Sequence, residues 1–200
     1  MIDIRELRYS NAGPFPPPQN PPGSWTEYNF SNTPDQNGFT EQPDTNAVVN
    51  IVSTGPQADR RVEITPNGGN KVFITTDSPN LDPSVGATGE ISVAVSAPNE
   101  FSGFEIRYLN GVINWVCSSE ITEINIPGGF PNPDFTGTPI ASQVQDVSGQ
   151  NNTNQIVFRI TVDSSRDVML YRNGVLLFGP LNLPYIQKPS QTFMWWGEGG

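Results

Sequence analysis

Twenty carboxylates and not one histidine bound the chemistry open to this 200-residue chain. Without imidazole there is no Ser-His-Asp or Cys-His nucleophile, and the usual nitrogen ligands for zinc are missing. The single cysteine, Cys117, excludes both an intrachain disulfide framework and a cysteine-rich metal site. Glycoside hydrolysis needs two carboxylates facing one bond. Glu120 and Glu123 are three apart, so on a strand they point to opposite faces. Asp3 and Glu6 lie in the N-terminal segment, and Glu90 and Glu105 stand alone on their strands. A calcium ion would need clustered oxygen ligands. Asp77, Asn80 and Asp82 share a loop, as do Asn132 and Asp134, but their neighbouring prolines read as turn chemistry. The expectation is a chain with no catalytic residues, no metal and no cofactor.

Aromatic side chains are the other candidates. Phe15, Trp25, Tyr28 and Phe30 are interleaved with prolines in the first 43 residues. A plain linker has no use for four aromatics, so they are candidates for an assembly interface with a neighbouring subunit, or for packing on their own domain. Trp195 and Trp196 are adjacent near the C-terminus, so on a strand they face opposite ways. One of them could stack on a sugar or seal a subunit contact.

The elements that position these groups read as strands. Gly and Pro are abundant (19 and 20), charge is low at 15%, and no convincing amphipathic helix is present. Short strands between Gly/Pro-rich turns indicate an all-β sandwich or barrel. Residues 1–43 read as an extended proline- and aromatic-rich arm holding one short strand at Ile2, Ile4, Leu7 and Tyr9. From Ala47 onward, short strands are expected at 47–53, 61–65, 71–76, 90–97, 104–108 and 113–117, a further strand at 119–126 with Ile121 and Ile124 out of phase, as at a bulge or register change, and one short strand at 140–147 within a long surface excursion over 127–154. The most regular stretch is Gln155 to Gly179, a meander of three strands. Two-residue loops at both of its turns would set Phe158 opposite Tyr171, Ile160 opposite Met169 and Met169 opposite Phe178, all on one face. Asn110-Gly111 predicts a second hairpin, with Tyr108 opposite Ile113 and Phe104 opposite Cys117. A last strand covers 192–196.

These patterns resemble the concanavalin A-like lectin/glucanase superfamily, particularly its laminin G-like branch. The resemblance rests on IVFRITVD leading to a turn, on Tyr171-Arg172-Asn173-Gly174, on EISVAV followed by GFEIRYLNG, and on the closing FMWWGEGG. It covers about residues 47–200 and implies an antiparallel jelly-roll sandwich, with 44–200 as its domain. Proteins of that group bind glycans, hydrolyse them or only assemble. The Glu-x-Asp-x-Glu run of its glucanases is missing here.

A net charge of −10 disfavours nucleic acid and anionic membranes as partners. The N-terminus has no apolar signal region, and no run is long enough for a membrane helix, so the expected place of synthesis is the cytosol. The leading expectation is a structural protein of a virion (capsid decoration, neck, tail or fibre of a phage), anchored to other subunits through its arm. The alternative is a glycan-binding module for host or surface attachment.

Overall fold

The computed structural model describes residues 1–10, 13–20, 25–28, 30, 39–42, 48–56, 59–65, 71–75, 86–100, 102–108, 111–126, 143–182 and 193–198, with backbone alone for 26, 28, 39–42, 71–75, 103–108, 111–114, 125–126, 143–145 and 193–198. The described elements are β1 (Ile2–Ser10), β2 (Thr26–Tyr28), β3 (Phe39–Gln42), β4 (Val48–Val52), β5 (Arg61–Thr65), β6 (Lys71–Thr75), β7 (Ala87–Val95), β8 (Ser102–Tyr108), β9 (Gly111–Cys117), β10 (Ile121–Ile126), β11 (Gln143–Ser148), β12 (Ile156–Val162), β13 (Asp167–Arg172), β14 (Val175–Asn182) and β15 (Phe193–Glu198). They form two antiparallel sheets. One runs β14-β13-β12-β7-β1-β5-β4, with β2 also paired to β1; the other runs β11-β10-β9-β8-β15-β6-β3. The protein is an all-β sandwich.

The two sheets meet through their apolar faces. Trp115 of β9 lies against Phe158 of β12, with ring centroids 4.5 Å apart and planes tilted by 36°. Ile91, Val93, Ile156, Ile160, Cys117 and Ile124 complete the buried centre. Each comes from a period-two run, the pattern that places alternate side chains on one face.

The first ten residues depart from the expected arm. β1 is a central strand, paired with β7 along its length and with β5 at Ile2–Ile4, while β2 takes over at Leu7–Tyr9. Ile2, Ile4 and Leu7 are fully buried. Their uneven spacing is absorbed by a register shift between Ile4 and Glu6, where one extra residue keeps Leu7 on the core face.

The meander differs from expectation by one residue, and the difference matters. Phe158 pairs with Arg172, Arg159 with Tyr171 and Ile160 with Leu170. The turn after β12 is a three-residue loop. Asp163 N donates to Asp167 O, Arg166 N donates to Asp163 O, and Arg166 takes a positive φ of 73°. That is a type I turn followed by a left-handed residue, one residue longer than a two-residue loop. An odd shift flips every side chain. Val168 and Leu170 therefore fill the core, and Tyr171 joins Arg159 on the other face. Tyr171 does pair with Leu176, but Phe178 pairs with Leu170 rather than Met169, because β14 carries a bulge there. At the Asn173-Gly174 turn both residues have positive φ (48° and 80°), as the type I′ geometry requires.

In the second hairpin Tyr108 pairs with Gly111 and Phe104 with Trp115, a shift of two from the expected register. An even shift preserves the faces, so Trp115 and Cys117 still point inward and are buried.

Candidate functional site

On the outer face of the eight-stranded sheet, three charged residues stand side by side. Arg8 of β1 and Arg159 of β12 are both in register with Glu90 of β7. Arg8 Nε donates to Glu90 Oε1 at 2.8 Å, and Arg159 Nε donates to Oε2 at 2.6 Å. Glu90 thus has each carboxylate oxygen held by a different guanidinium. The side chains of Glu90 and Arg159 are only 7% and 8% exposed, so the pair is shielded from water. Arg8 is more open and also approaches Glu6 (3.4 Å) and Glu27 (3.8 Å).

Arg159 does a second task. Its Nη1 donates to the carbonyls of Gln19 (2.6 Å) and Phe15 (3.3 Å), and its Nη2 donates to Asn20 Oδ1 (3.2 Å). A planar fork with five donors can bridge a carboxylate and a loop in this way, whereas a lysine cannot. The loop is the proline-rich segment 13–20, laid on the sheet. Phe15 N donates to Thr88 Oγ1 at 3.0 Å, and the Arg8 and Arg159 guanidinium carbons lie 4.5 and 5.4 Å from the Trp25 ring centroid. Both are within cation–π range.

Glycine makes the close approach possible. Gly86 has φ +90°, and a Cβ there would lie 2.6 Å from Gly13 O and 2.7 Å from Val162 O. Gly86→Ala is therefore expected to destabilise the protein by about 1–3 kcal/mol from backbone strain alone. Loss of order in the 13–20 loop should accompany it. Thermal denaturation and hydrogen exchange at Phe15 check both effects; an unchanged melting point would show that the segment does not depend on this contact.

Between the loop and the sheet lies a shallow groove of about 440 Å³. Pro17, Pro18 and Val157 supply apolar wall, and Glu6, Asn20 and Asn173 supply polar wall, with Arg8, Glu90 and Arg159 at the base. Asn173 Oδ1 accepts from Val157 N at 3.0 Å, and Asn20 Oδ1 accepts from Arg159. Each amide therefore has its Nδ2 donor to offer a ligand. The Glu6 side chain is 43% exposed. Partial burial raises its pKa above the ordinary value of 4.5, with Arg8 opposing and Glu90 and Glu27 reinforcing. A second concavity, about 560 Å³, is lined by Ser96, Pro98, Ser119, Glu120, Gly149, Gln150, Asn151 and Thr153. With Pro98 as its one ring surface, it lacks the two-sided lining of the first.

The expected interface aromatics separate. Phe15 and Trp25 are half-buried beside the groove, Phe30 is fully buried in the chain's own core, and Tyr28 is placed by its backbone opposite Leu7. The backbone of Trp195 and Trp196 lies mid-sheet, in register with Glu105 and Phe104 on one side and Ile74 and Phe73 on the other. The side chains of Tyr28, Trp195 and Trp196, and the acidic loops at 77–82 and 132–134, lie outside the described residues. No cluster of three or more metal-ligating side chains occurs among the described residues. Cys117 is fully buried, and burial pushes its thiol pKa up to about 12, against a small opposing effect of Arg172. A thiol held that far from its thiolate is unreactive at neutral pH.

The sequence marks Glu90 as a lone carboxylate on its strand but does not join it to Arg8 and Arg159. Arg159 and Glu90 each stand out as a charge on an outward position of an otherwise apolar strand. Arg8 carries the same signal once β1 is recognised as central. Their convergence is long-range, with Arg8 and Arg159 lying 82 and 69 residues from Glu90.

No protein-family model matches the chain, and no curated protein matches it significantly. Among solved structures, the chain is similar to the Botulinum Neurotoxin Type G Receptor Binding Domain (13% identity over 96% of this chain and 46% of that one, TM-score 0.41). It is also similar to HCR/D-Sa-GBL1/C (12%, 90% and 45%, TM-score 0.47) and to the binding domain of Botulinum Neurotoxin DC in complex with SialylT (11%, 77% and 47%, TM-score 0.32). The chain spans about half the length of these structures. At these TM-scores, any reading of function has to rest on the groove itself.

Proposed function

We propose that the protein is a non-catalytic glycan-binding module of the concanavalin A-like type, and that the groove beside the 13–20 loop is its binding surface. The observation that carries this reading is the two-sided lining. Sugars present apolar C–H faces and rims of hydroxyls that both donate and accept. Pro17, Pro18 and Val157 suit the first, while the Glu6 carboxylate and the Asn20 and Asn173 amides suit the second. Glu90 is a poor nucleophile or base, because both its oxygens are held by guanidiniums. Glu6 alone does not make the carboxylate pair that hydrolysis needs.

The virion assembly role expected from the proline-rich segment needs its aromatics turned toward a neighbour. Phe30 is buried in its own chain, and Phe15 and Trp25 adjoin the groove, so the groove is the surface to which we assign function.

A glycan array of the full chain tests the reading. At least one glycan should be retained, and Glu6→Gln should weaken it roughly tenfold to a hundredfold, the range for one charge-assisted hydrogen bond. Asn173→Asp, which keeps a residue tolerant of positive φ, should weaken it as well. Retention of no glycan, or hits indifferent to both substitutions, would sink the proposal.

The pH dependence has a defined sign. Glu6 accepts from a hydroxyl more strongly when ionised, so affinity should fall as the pH drops through its raised pKa, above 4.5. The effect of Glu6 on folding runs the other way. With the folded pKa above the unfolded one, the folded state holds more protons in that window, so stability falls as pH rises through it. Titrating affinity and melting temperature together from pH 4 to 7 separates the two, and Glu6→Gln should flatten the affinity profile.

A further inference from the structure

Resting on the glycan-binding reading, we infer that the groove selects neutral glycans and rejects acidic ones, its two arginines being committed to the fold and its ligand-facing charge being the Glu6 carboxylate. Two arginines at the base of a groove would ordinarily suggest an anion site. Here the guanidiniums are already engaged. Arg159 donates to Glu90, to the carbonyls of Phe15 and Gln19 and to Asn20; Arg8 donates to Glu90 and faces Glu6 and Glu27. An incoming carboxylate or sulfate could win either arginine only by displacing a partner that is itself charged or holds the loop.

The local charge points the same way. Within the groove lining the carboxylates of Glu6 and Glu90 balance the guanidiniums of Arg8 and Arg159, and Glu27, outside the lining but 3.8 Å from Arg8, adds a further negative charge beside it. The whole chain adds a background of −10. A like charge brought against such a surface costs binding, and it costs most at low salt, where screening is weakest. The polar groups left for a ligand are complementary to hydroxyls. Glu6 accepts, while Asn20 and Asn173 each have an amide donor, so a vicinal pair of hydroxyls can be satisfied by one acceptor and one donor without any ligand charge.

The test pairs each neutral oligosaccharide that binds on the array with a counterpart carrying a carboxylate or sulfate on one residue. Titration calorimetry is run on the full chain at low and moderate salt. Neutral ligands should bind at least about tenfold more tightly than their acidic counterparts. The gap should narrow as salt rises, and narrow again in Glu6→Gln, which removes the exposed carboxylate charge while keeping the side chain's shape. Melting temperatures of wild type and variant confirm that both are folded. Tighter binding of the acidic ligands, weakening with salt, would overturn the inference and leave the glycan-binding reading standing. A gap that Glu6→Gln leaves untouched would remove Glu6 from the selecting role. Failure of every glycan, neutral or acidic, would overturn the reading and the inference together.

Discussion

Deletion of residues 1–10 should leave no folded protein. β1 lies between β7 on one side and β5 and β2 on the other, so its removal opens two new edges inside the eight-stranded sheet. It also withdraws Ile2, Ile4 and Leu7, all at 0% exposure, from the core. Burial of each such side chain contributes roughly 1.5–3 kcal/mol. Their sum alone approaches the lower end of the roughly 5–15 kcal/mol that typically separates folded from unfolded domains. Lost ladder hydrogen bonds and exposed edges come on top. The expected outcome is insoluble or unfolded material, read by far-UV circular dichroism and the absence of a cooperative thermal transition. A truncated chain that melted cooperatively would mean that the first strand is a dispensable arm.

The second large effect is expected at Glu90. Glu90→Ala leaves Arg159, 8% exposed, buried without its carboxylate. Removing one member of a buried ion pair typically costs about 3–5 kcal/mol, much of it from the stranded partner. For a chain of this size that lowers the melting temperature by on the order of 10 °C. Removing both partners should cost less than the two single losses together, because Arg159→Ala in the Glu90→Ala background no longer strands a charge. Arg159→Lys should resemble Arg159→Ala in loop order, since one ammonium cannot reach Glu90, Gln19, Phe15 and Asn20 at once. Thermal melts of these variants, with hydrogen exchange across 13–20, provide the check. A Glu90→Ala protein within about 0.5 kcal/mol of wild type would show that the triad is an ordinary surface pair.

Both expectations concern residues whose importance the chain conceals. Ile2, Ile4, Leu7 and Tyr9 are visible as a strand, but the eight prolines between positions 14 and 43 make the whole segment resemble an arm. Those prolines constrain the backbone after β1. They do not decide whether β1 itself is a central strand. The candidate site was less legible still. Phe15 and Trp25 stand out for their aromatic character and do lie at the groove, as supports of its wall. Glu90 and Arg159 are each visible as a lone charge on an apolar strand, but nothing in the sequence brings them together with each other or with Arg8.

The sequence by itself determined whatever depends on neighbours a few residues apart. Period-two alternation and Gly/Pro punctuation made this an all-β chain of short antiparallel strands, a sandwich or a barrel. Asn173-Gly174 set a type I′ turn, and the lack of histidine removed whole classes of catalysis. Tertiary structure decided what depends on contacts far apart in the chain or on one residue of register. Arg166 in a left-handed conformation lengthened one loop by a residue, which turned Tyr171 outward and Leu170 inward. The pairing of β1 with β7 and of β7 with β12 brought Arg8, Glu90 and Arg159 onto one face. Alternation fixes which side chains share a face of a strand but says nothing about which strand lies next to it. The groove exists because of that second choice.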